Sequence, residues 1–495
     1  MKKRMTALVW PGWGRMLIWI TAVLLCMAAC CAMAESDNIY DVSPVLVNPD
    51  ASPEASALMA WMCENYGTRM ISGQYMDEGR QGQELRAIAE VTGGLYPAMI
   101  GLDVMNYSPS SIALGTHPVT VDQALKYWQE GYIITMCWHW RPDVKYMDTA
   151  GTGWWGGFYT EKTTFDLGKA MNGEDPEGYE MLIRDMDAIA VQLQRLRDAG
   201  VPVLWRPLHE ASGGWFWWGA SGADAYIKLY RLMYDRYTRE FGLNNLIWVW
   251  NGQRADWYPG DDVVDIIGED LYPGKHIHDT QEMAFTRCRT YTEARKMILL
   301  TECGCIPSPV KCEKDGIMWG AWAVWCYEFV LDEKGNYSEE YTTAELLKRF
   351  YEAENVITRR DVPDFGRKAA ETPETADREG LTLSFADGLV TGNVSKAGDA
   401  VQMRGNEATD TVTVMLEVPE SGRYTLRILQ AGIGGYKENN LLLDGELIGQ
   451  TIVQGEPEEA CDSGPVEITA GTHELTVQAV WGWVTLRTVT LIPEQ

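Results

Sequence analysis

The sequence predicts a (β/α)8 barrel followed by a smaller all-β sandwich, and three observations support this prediction. Short apolar runs alternate with amphipathic helical patterns across residues 40–362. A charged stretch with two prolines follows at 363–378, which indicates a linker. From 379 to 495 the pattern changes to short alternating strands separated by turn residues. Eight strand–helix units over roughly 250 residues or more have the size of a (β/α)8 barrel, and the final segment is typical of a sandwich.

The first 34 residues indicate an export signal. Residues 2–4 are basic, an apolar run covers about 16–32, and Ala-Met-Ala at 32–34 matches a small-residue cleavage pattern. We therefore expect a secreted protein whose catalytic region starts at Glu35. A membrane anchor is one alternative, and a lipoprotein held at the cell surface is another, because the residues before Cys30 loosely resemble a lipobox. No later segment is apolar for long enough to span a bilayer.

The charge of the chain excludes several partner classes. The formal net charge is -28, so nucleic acid and anionic membrane surfaces are unsuitable partners. A neutral polymer is compatible with this charge. The 21 Trp and 23 Tyr outnumber the 9 Phe, and aromatic rings with polar edges are favoured at wet, hydroxyl-rich surfaces. The charge alone does not select such a polymer. We expect a monomer.

The barrel prediction depends on eight short apolar runs with helical patterns between them. The clearest helix repeats its apolar residues from Leu182 to Leu196 at steps of three and four, and Gly200 stands where a C-cap belongs. A doubly wound open sheet is the competing fold, but no glycine-rich phosphate loop follows the first run. The eight candidate strands are 70–73, 98–103, 132–138, 202–207, 246–250, 265–269, 297–301 and 320–325.

Polar and aromatic residues follow these strands at the rim where barrel enzymes carry their chemistry. Trp138-His139-Trp140 follows the third strand, and His209 and Glu210 follow the fourth. This concentration of residues at one rim predicts an active site. The later strands contribute Asn251, Glu269, Asp270, Tyr272, Thr301, Glu302, Cys303, Gly304 and Trp325.

The segment 201–220 predicts a proton donor that acts on a sugar. An apolar strand breaks at Arg206-Pro207, and Glu210 then stands close to Trp215, Trp217 and Trp218. Apolar neighbours raise the pKa of a carboxyl group, which a general acid near neutral pH requires. Glu302 supplies a second carboxylate after the seventh strand, on the opposite wall of the predicted barrel. Glycoside cleavage with retention uses such a pair about 5–5.5 Å apart.

These stretches resemble glycoside hydrolase family 26, the β-mannanase family. The resemblance rests on RPLHEASGGWFWWG at 206–219, WHW at 138–140, NLIWVWN at 245–251, GEDLYPG at 268–274 and LLTECG at 299–304. It implies that Glu210 is the acid/base and Glu302 the nucleophile. It also implies a further set of substrate-binding residues. These are His139, His209, Trp215, Asp270, Tyr272 and Trp325.

The resemblance implies a retaining endo-β-1,4-mannanase that needs no cofactor for catalysis. The same fold and mechanism on mixed-linkage β-glucan or β-1,3-xylan is an alternative, as is an exo-acting mannobiohydrolase. A glycan-binding cell-surface protein is the non-enzyme alternative. Metal-dependent hydrolysis through His139, His209, His276, His278 and Glu210 is disfavoured, because no HExxH-type spacing occurs.

Residues 379–495 resemble a carbohydrate-binding module of family 35 or the related family 6. The resemblance rests on GGYKENNLLLDGELIG at 434–449 and ITAGTHELTVQAVWGW at 468–483. It implies a role in holding the enzyme on polysaccharide. The candidate contacts are Tyr436, Asn439, Trp481 and Trp483. Modules of this kind often hold calcium, so structural calcium is possible here without assigned ligands.

Three cysteines close together predict one local disulfide. Cys303, Cys305 and Cys312 follow the seventh strand at a spacing that is not a zinc-ribbon pattern. Export permits disulfides, and we expect Cys305 to pair with Cys312. Cys137 and Cys326 stand in apolar runs and are expected to be buried thiols.

Overall fold

A computed structural model describes residues 38–80, 82–116, 118–147, 149, 153–367, 381–433, 437–453, 455, 458–481 and 483–493. The chain divides into two compact units between residues 369 and 370, and each unit has its own hydrophobic core. The predicted signal at 1–34 and residues 368–378 of the predicted linker lie outside the described residues.

In the described part of the first unit, eight parallel strands close into a barrel, so the predicted fold class is confirmed. The strand Gly73–Tyr75 pairs with both Met99–Asp103 and Trp322–Val324, and this pairing closes the ring. The strands of this unit are β1 (Met70–Ile71), β2 (Gly73–Tyr75), β3 (Met99–Asp103), β4 (Ile133–Cys137), β5 (Val203–Arg206), β6 (Leu246–Trp250), β7 (Ile266–Leu271), β8 (Met297–Cys303), β9 (Trp322–Val324) and β10 (Val356–Ile357).

The first barrel strand differs from the prediction of 70–73. Met70 and Ile71 form β1, which pairs with β10 outside the barrel, and the barrel strand begins at Gly73. A Cβ on Gly73 would lie 2.5 Å from the backbone oxygen of Trp322. The close approach of β9 therefore admits only glycine at this point.

Helices pack around the barrel between its strands. The apolar repeat predicted from Leu182 to Leu196 is buried along α6, and Gly200 has a left-handed φ of 70° just beyond the end of this helix. The helices are α1 (Pro53–Asn65), α2 (Gln83–Thr92), α3 (Pro109–Ala113), α4 (Thr120–Gln129), α5 (Leu167–Met171), α6 (Pro176–Asp198), α7 (Trp217–Ala220), α8 (Ala223–Asp235), α9 (Glu282–Cys288), α10 (Pro309–Asp315) and α11 (Ala344–Tyr351). None of the helices in the described ranges has the length and hydropathy of a membrane span.

The second unit is a β-sandwich, as predicted. In its described part, one sheet has five strands in the order β12-β15-β21-β17-β18, and the other has seven. Inward residues alternate with outward ones, so that Val412, Val414 and Leu416 of β15 are buried. The strands are β11 (Leu381–Ser384), β12 (Leu389–Thr391), β13 (Val394–Ala397), β14 (Ala400–Met403), β15 (Thr411–Val418), β16 (Gly422–Gly432), β17 (Lys437–Leu443), β18 (Glu446–Val453), β19 (Glu459–Asp462), β20 (Val466–Ile468), β21 (Gly471–Trp481) and β22 (Val484–Pro493).

The predicted Cys305–Cys312 disulfide is wrong, because both residues are free thiols. The Cys305 Sγ lies 3.0 Å from the carbonyl oxygen of Gly274 and 3.2 Å from that of Tyr341. Cys312 is buried in α10. The two thiols therefore have different surroundings. Their closeness in the sequence did not predict a disulfide between them.

Candidate active site

A strained loop after β5 positions the predicted acid. Leu208 and Glu210 both have left-handed φ values, 52° and 53°, which side chains of this size rarely adopt. The Glu210 N–H donates to the backbone oxygen of Asn251 at 2.7 Å and lies 3.0 Å from the Asn251 Oδ1. The Asn251 Nδ2 in turn donates to the Thr301 hydroxyl at 2.8 Å. The loop is thus fastened to the ends of β6 and β8.

The Glu210 carboxyl group is protonated more readily than an ordinary glutamic acid. Burial is the main cause, and the nearby charge of Glu302 adds to it, so that the pKa of Glu210 is raised to about 7. The Trp215 Nε1 donates to the Glu210 Oε2 at 2.9 Å and opposes this rise by stabilising the carboxylate. Glu210 can therefore donate a proton near neutral pH.

Glu302 is held by two donors on the opposite side of the site. The Tyr272 hydroxyl donates to the Glu302 Oε2 at 2.7 Å, and the Arg206 guanidinium donates to the Glu302 Oε1. Arg206 is fully buried, and it also donates to Asp270 at 2.7 Å and to the Tyr75 hydroxyl at 3.0 Å. Each Glu302 oxygen therefore accepts one hydrogen bond, Oε1 from a guanidinium and Oε2 from a phenol. These two donors fix the orientation of the Glu302 side chain, as an attacking group requires.

The three carboxyl groups converge on one point. One oxygen from each of Glu210, Asp270 and Glu302 lies within 4.8 Å of the other two. This separation is close to the carboxyl spacing of retaining glycosidases, and it leaves no room for the extra water that inverting enzymes need. The Asp270 carboxyl group, which accepts from Arg206, also accepts from the Thr301 hydroxyl at 2.6 Å.

His139 and His209 form a pair beside the carboxyl groups. Their Nε2 atoms lie 3.2 Å apart, and the His139 Nδ1 contacts the Asp103 carboxylate. Burial, with the charge of Arg206, lowers the pKa of His209 well below its usual range. The protein partner of the His209 ring is His139, and binding of substrate by His209 stays a prediction. The buried His209 Nδ1 has no protein partner among the described residues.

Aromatic rings border the site on two sides. Trp325 lies against Tyr75 with ring centroids 4.7 Å apart and against His139 at 5.8 Å. Trp215 is 46% exposed and lines an open cleft of about 380 Å³ with Tyr159 and Glu161. The site therefore offers apolar faces on which sugar rings can stack.

Two tryptophans of the predicted aromatic wall have a different position. Trp217 and Trp218 are buried, and their Nε1 atoms donate to the backbone oxygens of Trp140 and His209. They support the acid loop from below. Trp215 alone of the three is exposed.

Several functional contacts were not predicted from the sequence. Arg206, Tyr75 and Asp103 each contact a predicted site residue, but none was assigned a role. An arginine at the end of an otherwise apolar strand was the available signal for Arg206, because a buried charge needs partners. Tyr75 and Asp103 end the barrel strands β2 and β3, and nothing in the local sequence links them to Glu210.

The residues proposed for metal-dependent hydrolysis do not form one group. Among the described residues, potential ligands converge in two groups, Asp103–Cys137–His139 and Glu210–Asp270–Glu302. His276 and His278 belong to neither group. The His278 Nδ1 contacts the backbone oxygen of Ile306 instead.

The predicted contacts of the second unit differ in exposure. Trp481 and Trp483 are 61% and 46% exposed. Asn439 is buried, and its Oδ1 accepts from the Val480 N–H at 3.3 Å, so it does not lie on the surface as predicted. Tyr436 lies outside the described residues. No three carboxylate, imidazole or thiol ligands converge in the described part of this unit, so calcium stays a prediction without a ligand set.

Comparison with known proteins gives two family matches. Residues 47–360 match the model described as glycosyl hydrolase family 26, and residues 379–493 match carbohydrate binding module (family 35). A mannan endo-1,4-β-mannosidase of Thermothelomyces thermophilus is 41% identical over 322 residues, which cover 64% of this chain and 63% of the relative. Mannan endo-1,4-β-mannosidase A of Piromyces sp. is 34% identical over 360 residues, which cover 72% and 55%. This chain thus spans less than two thirds of the length of these relatives.

Solved structures show the same likeness. The Podospora anserina GH26-CBM35 β-(1,4)-mannanase has a TM-score of 0.61 and 37% identity, with 66% of this chain and 70% of that chain covered. A β-mannanase from a symbiotic protist of the termite Reticulitermes speratus, complexed with gluco-manno-oligosaccharide, has a TM-score of 0.57 and 35% identity, with 65% and 98% covered.

Proposed function

Because this chain belongs to glycosyl hydrolase family 26, we propose that it is a retaining endo-β-1,4-mannanase. The observation that carries this proposal is the pair of carboxyl groups on Glu210 and Glu302, which lie within 4.8 Å and have different surroundings. One is buried and readily protonated, whereas the other accepts from Arg206 and Tyr272. Double displacement at an anomeric carbon needs two nearby carboxyl groups with different roles, one that donates a proton and one that attacks the carbon.

In the proposed first step, the Glu302 carboxylate attacks the anomeric carbon of the sugar. The bond from that carbon to the glycosidic oxygen breaks, and the Glu210 carboxyl proton passes to the leaving oxygen. The products are a glycosyl ester of Glu302 and a shortened chain. Arg206 donates to both Asp270 and Glu302, and its positive charge offsets negative charge in this group during the step.

In the proposed second step, water hydrolyses this ester. The Glu210 carboxylate takes a proton from the water, the water oxygen bonds to the anomeric carbon, and Glu302 leaves as a carboxylate. Two inversions at the same carbon restore the β-configuration. Glu210 ends the cycle protonated, which its raised pKa favours.

The nucleophile assignment predicts a specific rescue. Replacing Glu302 with Ala removes the attacking oxygen and should lower turnover by at least about 10³-fold. Sodium azide should then restore turnover of an activated mannoside and yield an α-mannosyl azide, because azide attacks from the vacated side. Glu210→Ala is the matched variant, and azide should yield the β-product there. Turnover near the wild-type value in Glu302→Ala, or a β-azide from it, contradicts the assignment.

For the substrate, we propose mannan, glucomannan or galactomannan. The similar proteins support this, since two relatives are named mannan endo-1,4-β-mannosidases and one neighbour was solved with a gluco-manno-oligosaccharide. Assays on linear mannan, glucomannan, lichenan and β-1,3-xylan test it. Rates highest on lichenan or β-1,3-xylan would favour the alternative substrates, and release of mannobiose alone would indicate exo action.

The remaining expectations are proposals about the whole protein. We propose secretion after removal of residues 1–34, hydrolysis without a metal cofactor, and adhesion to polysaccharide through the second unit. The match to carbohydrate binding module (family 35) and the exposed Trp481 and Trp483 support the last of these.

A further inference from the structure

The five-stranded sheet of the second unit carries an unusual outer face. One row of directly paired residues crosses all five strands, and every member is an uncharged amide or hydroxyl. The row consists of Gln450, Asn440, Gln478, Thr411 and Thr391. The three amides are joined in sequence, since the Gln450 Nε2 lies 3.4 Å from the Asn440 Oδ1 and the Asn440 Nδ2 donates to the Gln478 Oε1 at 3.2 Å. The Thr391 and Thr411 hydroxyls contact each other at 2.8 Å.

A second uncharged row lies beside the first. It also crosses all five strands, and it combines aliphatic side chains with threonines. Its members are Leu447, Leu442, Thr476, Thr413 and Leu389. Leu447 and Leu389 at the two ends are 62% and 71% exposed. We call the ten residues of both rows the neutral strip.

The absence of charge on the neutral strip is unexpected for this chain. Charged residues make up 23% of the sequence, so ten outward positions would ordinarily include about two. The charges nearest the strip lie next to its two rows on the same strands, at Glu474 on β21 and at Glu438 on β17. The Glu438 Oε1 accepts from the Gln450 Nε2 of the strip at 2.6 Å. The ten residues of the strip themselves carry no charge, which makes their surface complementary to a neutral ligand.

We propose that the neutral strip binds a single extended chain of a neutral β-1,4-linked polysaccharide lying across the strands. Five strands at about 4.8 Å spacing make the strip about 19 Å long, and each strand presents one amide or hydroxyl at the distance of successive sugar rings. An amide group has two donors and two acceptor sites. Outside the row, the Gln450 Nε2 donates to Glu438 at 2.6 Å and the Gln478 Nε2 to the backbone oxygen of Ala408 at 3.1 Å, and the remaining sites are open to a ligand. Those contacts also hold the amides in place before binding, which reduces the entropic cost of association.

The chemistry of the neutral strip favours a glycan over a protein partner. Protein interfaces are enriched in aromatic residues, Met and Arg at their centres, and the strip contains none of these. Val480, two residues beyond Gln478 on the same face, is 42% exposed and continues this face towards Trp481. This proposal deepens the proposed glycan binding by the second unit, and it is independent of hydrolysis by the barrel.

The test uses the full chain with Glu302→Ala to prevent hydrolysis, and with Trp215→Ala and Trp325→Ala to remove the stacking faces of the barrel. It also carries Trp481→Ala and Trp483→Ala to remove the other predicted contacts of the second unit. Retardation in gels that contain linear β-1,4-mannan measures binding, and polygalacturonate serves as the anionic probe. Asn440→Asp with Gln478→Glu places two charges in the strip at nearly constant shape. Thr413→Arg is a second variant that fills the neighbouring row. Gln402→Glu, on β14 of the other sheet, is the matched control.

We expect each strip variant to weaken mannan binding by at least about fivefold, while Gln402→Glu leaves it unchanged. Thermal unfolding and circular dichroism verify that each variant is folded. Unchanged binding in both strip variants would overturn the proposal and leave a partner protein or plain solvent as the occupant. Equal retardation by polygalacturonate, or no mannan binding by the parent, would also overturn it. Mannan hydrolysis by the wild-type chain is measured separately, so failure of the strip is distinguishable from failure of the barrel assignment.

Discussion

The proton on Glu210 determines how activity depends on pH. The first chemical step needs this carboxyl group protonated, and its pKa is raised to about 7, so kcat/KM should fall as the pH rises through about 7. Trp215→Phe removes the N–H that stabilises the carboxylate, and the pKa of Glu210 should therefore rise further. We expect the alkaline limb of the kcat/KM profile to move to higher pH in this variant. The pH at which kcat/KM falls is the diagnostic quantity. Loss of sugar stacking on Trp215 lowers the maximum value of kcat/KM but does not move this pH. A limb that moves to lower pH contradicts this assignment.

The buried ion pairs of Arg206 should contribute to both stability and turnover. Its guanidinium is fully buried between Asp270 and Glu302, so Arg206→Met leaves two carboxylates without their cation. Breaking a buried ion pair costs about 3–5 kcal/mol, and the thermal midpoint of the barrel should fall accordingly. Arg206→Lys keeps the charge but cannot bridge both carboxylates, and it should retain part of the stability with little turnover. A midpoint unchanged in Arg206→Met would show that the pair contributes nothing.

The two glutamates could be predicted from sequence because strand order and local motifs determine where they lie. Glu210 and Glu302 each follow an apolar strand, and the barrel brings strand ends to one rim. The hydrogen-bonding partners that give them different surroundings could not be predicted in the same way. Arg206 reaches Glu302 across 96 residues and Tyr75 lies 131 residues from Arg206, so these contacts exist only in the closed barrel.

At the scale of elements, the short helix α7 depends on one glycine. A Cβ on Gly219 would lie 1.9 Å from the backbone oxygen of Ala211, which belongs to the loop after Glu210. Gly219→Ala must therefore push the helix and the acid loop apart, at a cost of about 1–3 kcal/mol or more. We expect a lower thermal midpoint together with reduced kcat.

Ala220→Ser is the control for this variant, because Ala220 is exposed and stands next to Gly219 in the same helix. Its midpoint and kcat should match those of the wild type. If Gly219→Ala behaves like this control, the helix and loop can separate at no cost and the packing argument fails.

Element boundaries show where pattern reading loses precision. The sequence predicted one strand at 70–73, but Met70 and Ile71 pair with β10 and only Gly73 belongs to the barrel. Residues 70–75 are all buried, so the burial pattern along the chain cannot separate the two strands. The close approach of β9 to Gly73 decides the matter, and that approach is a property of the assembled barrel.

At the scale of the whole molecule, the two units should make separable contributions. Each has its own core, so a chain ending at residue 367 should retain a folded barrel. We expect this truncated chain to cleave soluble manno-oligosaccharides at an unchanged rate and insoluble mannan more slowly, because the second unit no longer raises the local concentration of enzyme on the polymer. Comparing the two rates checks this. An equal loss on both substrates would show that the second unit supports the barrel itself.

Fold class was predictable because it depends on the number and order of apolar segments. The switch from strand–helix alternation to strand–turn alternation near residue 379 separates the two architectures in the sequence itself. The exposure of individual module residues was less predictable. Asn439 and Asn440 are neighbours of the same chemical kind, yet the alternation of β17 buries the first and places the second on the outer face.

The free thiols have a consequence for handling the protein. The described ranges contain eight cysteines, six of them buried, and no two are joined. Native chains should therefore need no oxidant during production and tolerate dithiothreitol without loss of structure. Heating reverses this protection, since unfolded chains expose all eight thiols to air and to one another. Covalent scrambling between denatured molecules would then make heat inactivation irreversible, and recovery on cooling should be better under reducing conditions.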